Sequence, residues 1–253
     1  MGRATALCFV LWAAIALAGP VVVIDPGHGG GQAGATSPEG LVEKNVALAL
    51  AKRVKAVLER ELQATVVLTR DQDSLVFLPD RVALANKRRP DAFVSIHANS
   101  MPTQRQRLLH EGIETYFLSA SASGEDARTV AARENAEAGG QPKGPSGDTL
   151  AFILADLQRA ETHADSSRLA YAVQEALVAQ TGAADRGVQQ APFFVLMGLE
   201  APAVLVEVGF ISHPEESKRL SDPAYQDKLS RAIASGVQKF LREVSERDGR
   251  KGG

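Results

Sequence analysis

Cysteine is nearly absent: the 253 residues hold one, Cys8. Aromatic residues are also few, at 5%. Neither sign of charge dominates, with 28 Lys and Arg against 30 Asp and Glu for a net charge of −2. There is no long acidic or basic block. That balance removes the electrostatic case for nucleic acid, which demands a basic face. No apolar run reaches the ~20 residues that span a bilayer. The apolar stretch from Ala4 to Ala18 follows a basic Met1-Gly2-Arg3 start and ends in Ala16-Leu17-Ala18, a small-x-small cleavage pattern. Residues 1–18 are therefore expected to be a secretory signal peptide, and the mature protein periplasmic or secreted. Cys8 leaves with that segment, which excludes disulfides, a thiol nucleophile and a Cys-based zinc site.

What remains is long enough for one α/β core, residues 19–245, ahead of a polar tail at 246–253 expected to fray. Val21-Val22-Val23-Ile24 is a β-branched run that breaks at Pro26 and three glycines after His28. It reads as a buried strand ending in a tight turn. A helix is expected over residues 43–62, where Val46, Leu50, Val54, Val57 and Leu58 share one face. Residues 64–69 read as a strand, 80–87 as a helix, 92–96 as a strand ending at His97, and 112–118 as a further strand. Later come a helix over 166–180, strands at 192–196 and 203–208, and a final helix over 224–241. This alternation predicts one α/β domain: a mixed, mostly parallel, twisted sheet with helices on both faces.

In such a sheet, ligands gather at the carboxyl ends of the strands. His28 follows the first strand, His97 ends the third, and Glu207 lies toward the end of a later one. Glu43 opens the helix that leaves the first strand, which starts at the same edge in a right-handed crossover. Two imidazoles and a carboxylate with an open fourth position are what catalytic zinc uses, and a second carboxylate can move the proton of an acidified water. Glu207, set among Val204, Leu205, Val206, Val208 and Phe210, lies in apolar company that raises a carboxyl pKa. Glu43 also fits a plain first-turn acid favoured by the helix dipole. His97 also fits a core histidine. Arg70-Asp71 and Arg81 fit either substrate orientation or structural ion pairing, and His110, His163 and His213 read as surface or capping residues.

Five ordered stretches carry a resemblance. They are Asp25-Pro26-Gly27-His28-Gly29-Gly30, Glu43-Lys44-Asn45, Leu68-Thr69-Arg70-Asp71, Ser95-Ile96-His97-Ala98-Asn99 and Val206-Glu207-Val208-Gly209-Phe210-Ile211-Ser212. Together they resemble the catalytic domain of zinc-dependent N-acetylmuramoyl-L-alanine amidases, in particular the cell-division, AmiC-like type. The resemblance implies that His28, Glu43 and His97 hold Zn²⁺ and that Glu207 is the catalytic acid/base. The bond cut would be the amide between N-acetylmuramic acid and the L-alanine of peptidoglycan, by a chain acting as a monomer. A zinc peptidase or deacetylase acting on another amide, or a non-catalytic peptidoglycan-binding module, remain the alternatives. No wall-binding repeat or N-terminal targeting domain is expected beside the domain, and septal recruitment is accordingly not expected.

Residues 119–165 break the alternation. An Ala/Glu/Arg-rich helix over 125–138 has a weak apolar face, a Gly/Pro-rich linker covers 139–147, and Leu150, Ile153, Leu154 and Leu157 mark an amphipathic helix. Cell-division amidases carry an insertion here whose helix blocks the site until a LytM-type activator moves it. By that resemblance Glu134 is a candidate inhibitory ligand; a plain surface helix is the other reading.

Overall fold

The computed structural model describes residues 19–136 and 160–251. The first strand, β1 (Val21–Pro26), lies between β2 (Thr65–Leu68) and β3 (Ala92–Asn99). β6 (Ala203–Phe210) follows β3, then β4 (Ile113–Leu118) and β5 (Asp185–Ala191), in the order β2-β1-β3-β6-β4-β5. The β2, β1, β3 and β6 neighbours are parallel, β4 runs antiparallel to β6, and β5 is parallel to β4. The sheet is therefore mixed. Its central strands β3 and β6 are buried along all eight residues each, because a neighbour covers both edges and helices cover both faces.

Alternation along the strands sorts the core into two layers. Val22, Ile24, Val94, Ile96, Val204 and Val206 face one side, against α1 (Glu43–Leu62), α5 (Ala160–Thr181) and α7 (Pro223–Lys251). Val23, Phe93, Tyr116 and Leu205 face the other, under α2 (Leu78–Arg88) and α4 (Glu125–Asn135). By the same period of two, Asp25, Ser95, His97 and Glu207 belong to the α2/α4 side. Across three strands His97, Glu207 and Glu114 are register partners in one row. A bulge in the β3–β6 pairing beyond His97 leaves Asn99 opposite Phe210.

Several expectations need correction. Residues 192–196 are not a strand: Pro192 donates no backbone N–H, and the chain turns, with Leu196 N donating to Phe193 O. Phe193, Val195 and Leu196 instead fill the core beneath α4. The edge strand β5 precedes them, over a polar sequence. Short helices α3 (Gln104–Leu109) and α6 (Pro214–Ser221) were not anticipated. The last helix does not end at Leu241 but continues to Lys251, and Arg247 in the supposedly frayed tail donates to both oxygens of Asp165. The helix expected over 125–138 is seen to Asn135, and the linker and leucine-rich helix that follow lie outside the described residues, as does the signal segment.

Candidate metal centre

His28, Glu43 and His97 meet at the carboxyl edge of the sheet. His28 Nε2 lies 2.8 Å from Glu43 Oε1 and 3.1 Å from His97 Nδ1, which is 3.1 Å from Glu43 Oε1. All three are buried. The fourth corner belongs to α4: Glu134 Oε2 stands 2.9 Å from His97 Nδ1 and 3.4 Å from His28 Nε2. Each residue offers one ligand atom, and the four lie within 4.8 Å of one another.

Each of these placements has a local cause. His28 takes a left-handed backbone (φ 60°), rare for a residue with a side chain. Buried Arg81 holds it there, donating to Pro26 O and His28 O, each at 2.7 Å. Arg70 donates to Gly27 O at 2.6 Å and to Lys44 O at 2.9 Å, so it ties the His28 loop to the start of α1. Gly27 permits contact with the His97 ring, since a Cβ there would sit 2.4 Å from that imidazole. Glu43 is not a helix-dipole acid: its Oε1 accepts from Ala98 N and its Oε2 from Ala35 N. Asp25, fully buried, accepts from Thr69, Ser95 and Arg81. Arg70 and Arg81 thus serve the loop's backbone carbonyls, while Asp71 is exposed.

Glu207 sits beside this cluster, opposite His97 in register and 0% exposed. Its Oε1 accepts from Arg133 Nη2 at 3.3 Å, whereas Oε2 is buried without a hydrogen bond. Burial pushes its pKa up to about 8, with the Glu134 and Glu43 charges adding and Arg133 and His97 opposing. Glu134 goes the other way: burial would raise it, but His97 and Arg133 hold it down to about 2. Two carboxyls on neighbouring elements are thereby set far apart.

A divalent ion fits this donor set. Zinc bonds of ~2.0–2.2 Å to nitrogen and oxygen separate tetrahedral ligands by roughly 3.3 Å; the contacts made by the two histidines run from 2.8 to 3.4 Å, and the whole set lies within 4.8 Å. Two ring nitrogens aimed at one point beside two carboxylate oxygens match zinc's usual ligand chemistry. The remaining histidines are elsewhere. His213 caps α6 by accepting from Glu215 N and Glu216 N, His163 packs on Phe117, and His110 on Phe210. Missing from the sequence reading were Arg133, Asn99 and Glu114. Arg133 precedes the residue singled out as an inhibitory ligand, which is the one signal that pointed to it.

A family model for N-acetylmuramoyl-L-alanine amidase matches residues 22–239. N-acetylmuramoyl-L-alanine amidase AmiC of Neisseria meningitidis serogroup B is 35% identical over 224 residues, 88% of this chain and 53% of AmiC. AmiA of Escherichia coli K12 is 36% identical over 224 residues, 87% of this chain and 76% of AmiA. The chain thus spans about half the length of the first relative and three quarters of the second. The crystal structure of N-acetylmuramoyl-L-alanine amidase from Clostridium difficile 630 shares the fold with a TM-score of 0.67 at 29% identity, covering 89% of this chain and 98% of that one. By the extent of that match and by its architecture, the chain belongs to the N-acetylmuramoyl-L-alanine amidase family.

Proposed function

We propose that this chain hydrolyses the amide between N-acetylmuramic acid and L-alanine in peptidoglycan, using zinc held by His28, Glu43 and His97. The observation that carries the reading is the meeting of those three ligands within hydrogen-bond distance of one another, next to a buried carboxyl. When bound, the ion supplies Lewis acidity that polarises a carbonyl and lowers the pKa of water. Glu207 does the proton work: Oε2, which has no partner, accepts a proton from the attacking water and returns it to the departing alanine nitrogen. Burial raises its pKa, which favours the second half of that exchange, the return of the proton to the nitrogen.

In the state described, α4 closes the site. Glu134 Oε2 stands at the fourth corner of the cluster and Arg133 engages Glu207 Oε1, so a bound ion would have its open position taken and the base would be partly covered. We read this as an autoinhibited form, opened in the periplasm or outside the cell by an activator of the LytM type. Apolar support for α4 is small, because Ala127, Val130 and Ala131 are its buried apolar side chains. Closure therefore rests mainly on the polar contacts of Arg133, Glu134 and Asn135, which an activator could replace.

Zinc quantification paired with mass analysis of digested cell wall tests the function. Stoichiometric zinc and new N-terminal L-alanine are expected. Cleavage at another peptide bond, or deacetylated sugar, would move the chain to a zinc peptidase or deacetylase.

A further inference from the structure

Arg133 is the only cation of α4 that enters the site, and everything it meets there accepts hydrogen bonds. Nη1 donates to Asn99 Oδ1 at 3.0 Å and to the Ser100 carbonyl at 2.8 Å; Nη2 donates to Glu207 Oε1 at 3.3 Å. We propose that these three acceptors form a subsite for a primary ammonium group, the new α-amino terminus of the L-alanyl peptide. Arg133 occupies it as an internal stand-in. The proposal rests on the amidase reading only for which amine arrives.

The orientation of Asn99 decides the chemistry. A side-chain amide can present either its oxygen or its NH₂ to a cleft. Here Nδ2 donates to Glu114 Oε1 at 2.6 Å, and that carboxylate also accepts from Arg186 Nε at 3.0 Å. With two donors converging on that carboxyl group, the amide nitrogen is committed to Glu114 and the oxygen faces the cleft. Ser100 N, donating to Oδ1 at 2.7 Å, fixes the same orientation. Asn99 is held by Glu114 and by Ser100 N, neither of which belongs to α4, so its oxygen keeps this direction when α4 is not there to order it.

The three acceptors, reached here by two guanidinium nitrogens, are of the kind that the three N–H donors of an ammonium ion take. Glu207 Oε2, buried and without a hydrogen bond, leaves acceptor capacity that the guanidinium does not use. The position is also the right one. Glu207 is the register partner of His97, so the subsite adjoins the cluster where the bond would be cut. Hydrolysis gives a carboxylic acid and an amine, and the acid's proton passes to the amine, so the reaction makes this ammonium with no further reactant. Product amine and Arg133 compete for the same three atoms.

Titration calorimetry on the full chain tests this with L-alanyl-D-isoglutamine and its N-acetylated form as probes. Arg133→Ala vacates the subsite, and because that side chain is 31% exposed the variant should fold as the parent does. The free dipeptide is expected to bind Arg133→Ala at least about tenfold more tightly than the parent, as charge-assisted hydrogen bonds become available. The acetylated probe should show no such gain. Adding Asn99→Leu to Arg133→Ala should abolish it. Equal affinity for the two probes, or no gain on removing Arg133, overturns the proposal. If Arg133→Ala binds the free amine tightly yet releases no alanyl peptide from cell wall, the amidase reading fails and the subsite stands. Release of alanyl peptide with equal binding of the probes has the opposite meaning.

Discussion

Replacing Glu134 with alanine removes the carboxylate that α4 places against the two histidines. The structure bounds what that contact contributes. Glu134 Oε2 makes one close approach to His97 Nδ1, at 2.9 Å, and a longer one of 3.4 Å to His28 Nε2. A single charge-assisted contact of this kind contributes about 1.5–3 kcal/mol, a lower bound for the zinc-loaded protein, where the same carboxylate would bind the ion directly. With ~1.4 kcal/mol for each factor of ten, the closed form should lose roughly 10- to 150-fold in population relative to the open one. Basal hydrolysis of purified peptidoglycan by zinc-loaded Glu134→Ala should rise by at least a similar factor, as long as the parent is mostly closed. The assay is release of N-terminal L-alanine over time, with zinc content and unfolding temperature checked for both proteins. A variant no faster than the parent, at equal zinc content and equal stability, would show that α4 is a surface helix and that closure has no bearing on turnover.

Other perturbations separate the roles of individual residues. Glu207→Gln should keep stoichiometric zinc while its turnover falls by about 10²- to 10⁴-fold, whereas His28→Ala should lose the metal; zinc analysis of both distinguishes base from ligand. Deleting residues 125–139 should raise basal hydrolysis like Glu134→Ala, and unchanged or lower rates would count against a blocking role. Arg81→Ala strands the buried Asp25 carboxylate and should cost about 3–5 kcal/mol of stability in denaturant unfolding. Asp25 also makes the fold sensitive to acid. Burial pushes its carboxyl up, but Arg81, Thr69 and Ser95 together draw it below its ordinary value of 3.8. A depressed folded pKa contributes stability that is complete above the unfolded value and is lost as pH falls through the folded one. Between about pH 5 and pH 2 the parent should therefore lose stability more steeply than Asp25→Asn, and parallel curves would refute the assignment.

The parts of the fold legible in the sequence are those where local pattern and final environment agree. β1 and β6 are rich in β-branched residues and β3 opens on an apolar run because helices cover both their faces, and α1 shows its buried stripe at helical spacing. β5 was illegible because Asp185-Arg186-Gly187 and two glutamines sit on an edge strand whose side chains stay half exposed. The Phe193–Leu196 stretch misled for the opposite reason, being apolar without being extended. His28, Glu43, His97 and Glu207 could be named because parallel strands deliver their ends to one edge. Glu114 could not, because β4 runs against β6 and brings its carboxylate beside Glu207 through a reversal that no local signal encodes. Asn99 stood inside a recognised stretch without a role, since its amide acquires direction only from Glu114.

The unusual backbone of His28 bears on how the ion comes and goes. Arg81 on the carbonyl and the paired bonds between Gly29 and Gln32 hold that backbone. The turn that presents the imidazole is thus fastened by the protein's own hydrogen bonds. A chelator should strip the protein without denaturing it, and fresh metal should reload it quickly, unlike small zinc modules in which ion uptake and chain collapse are a single event.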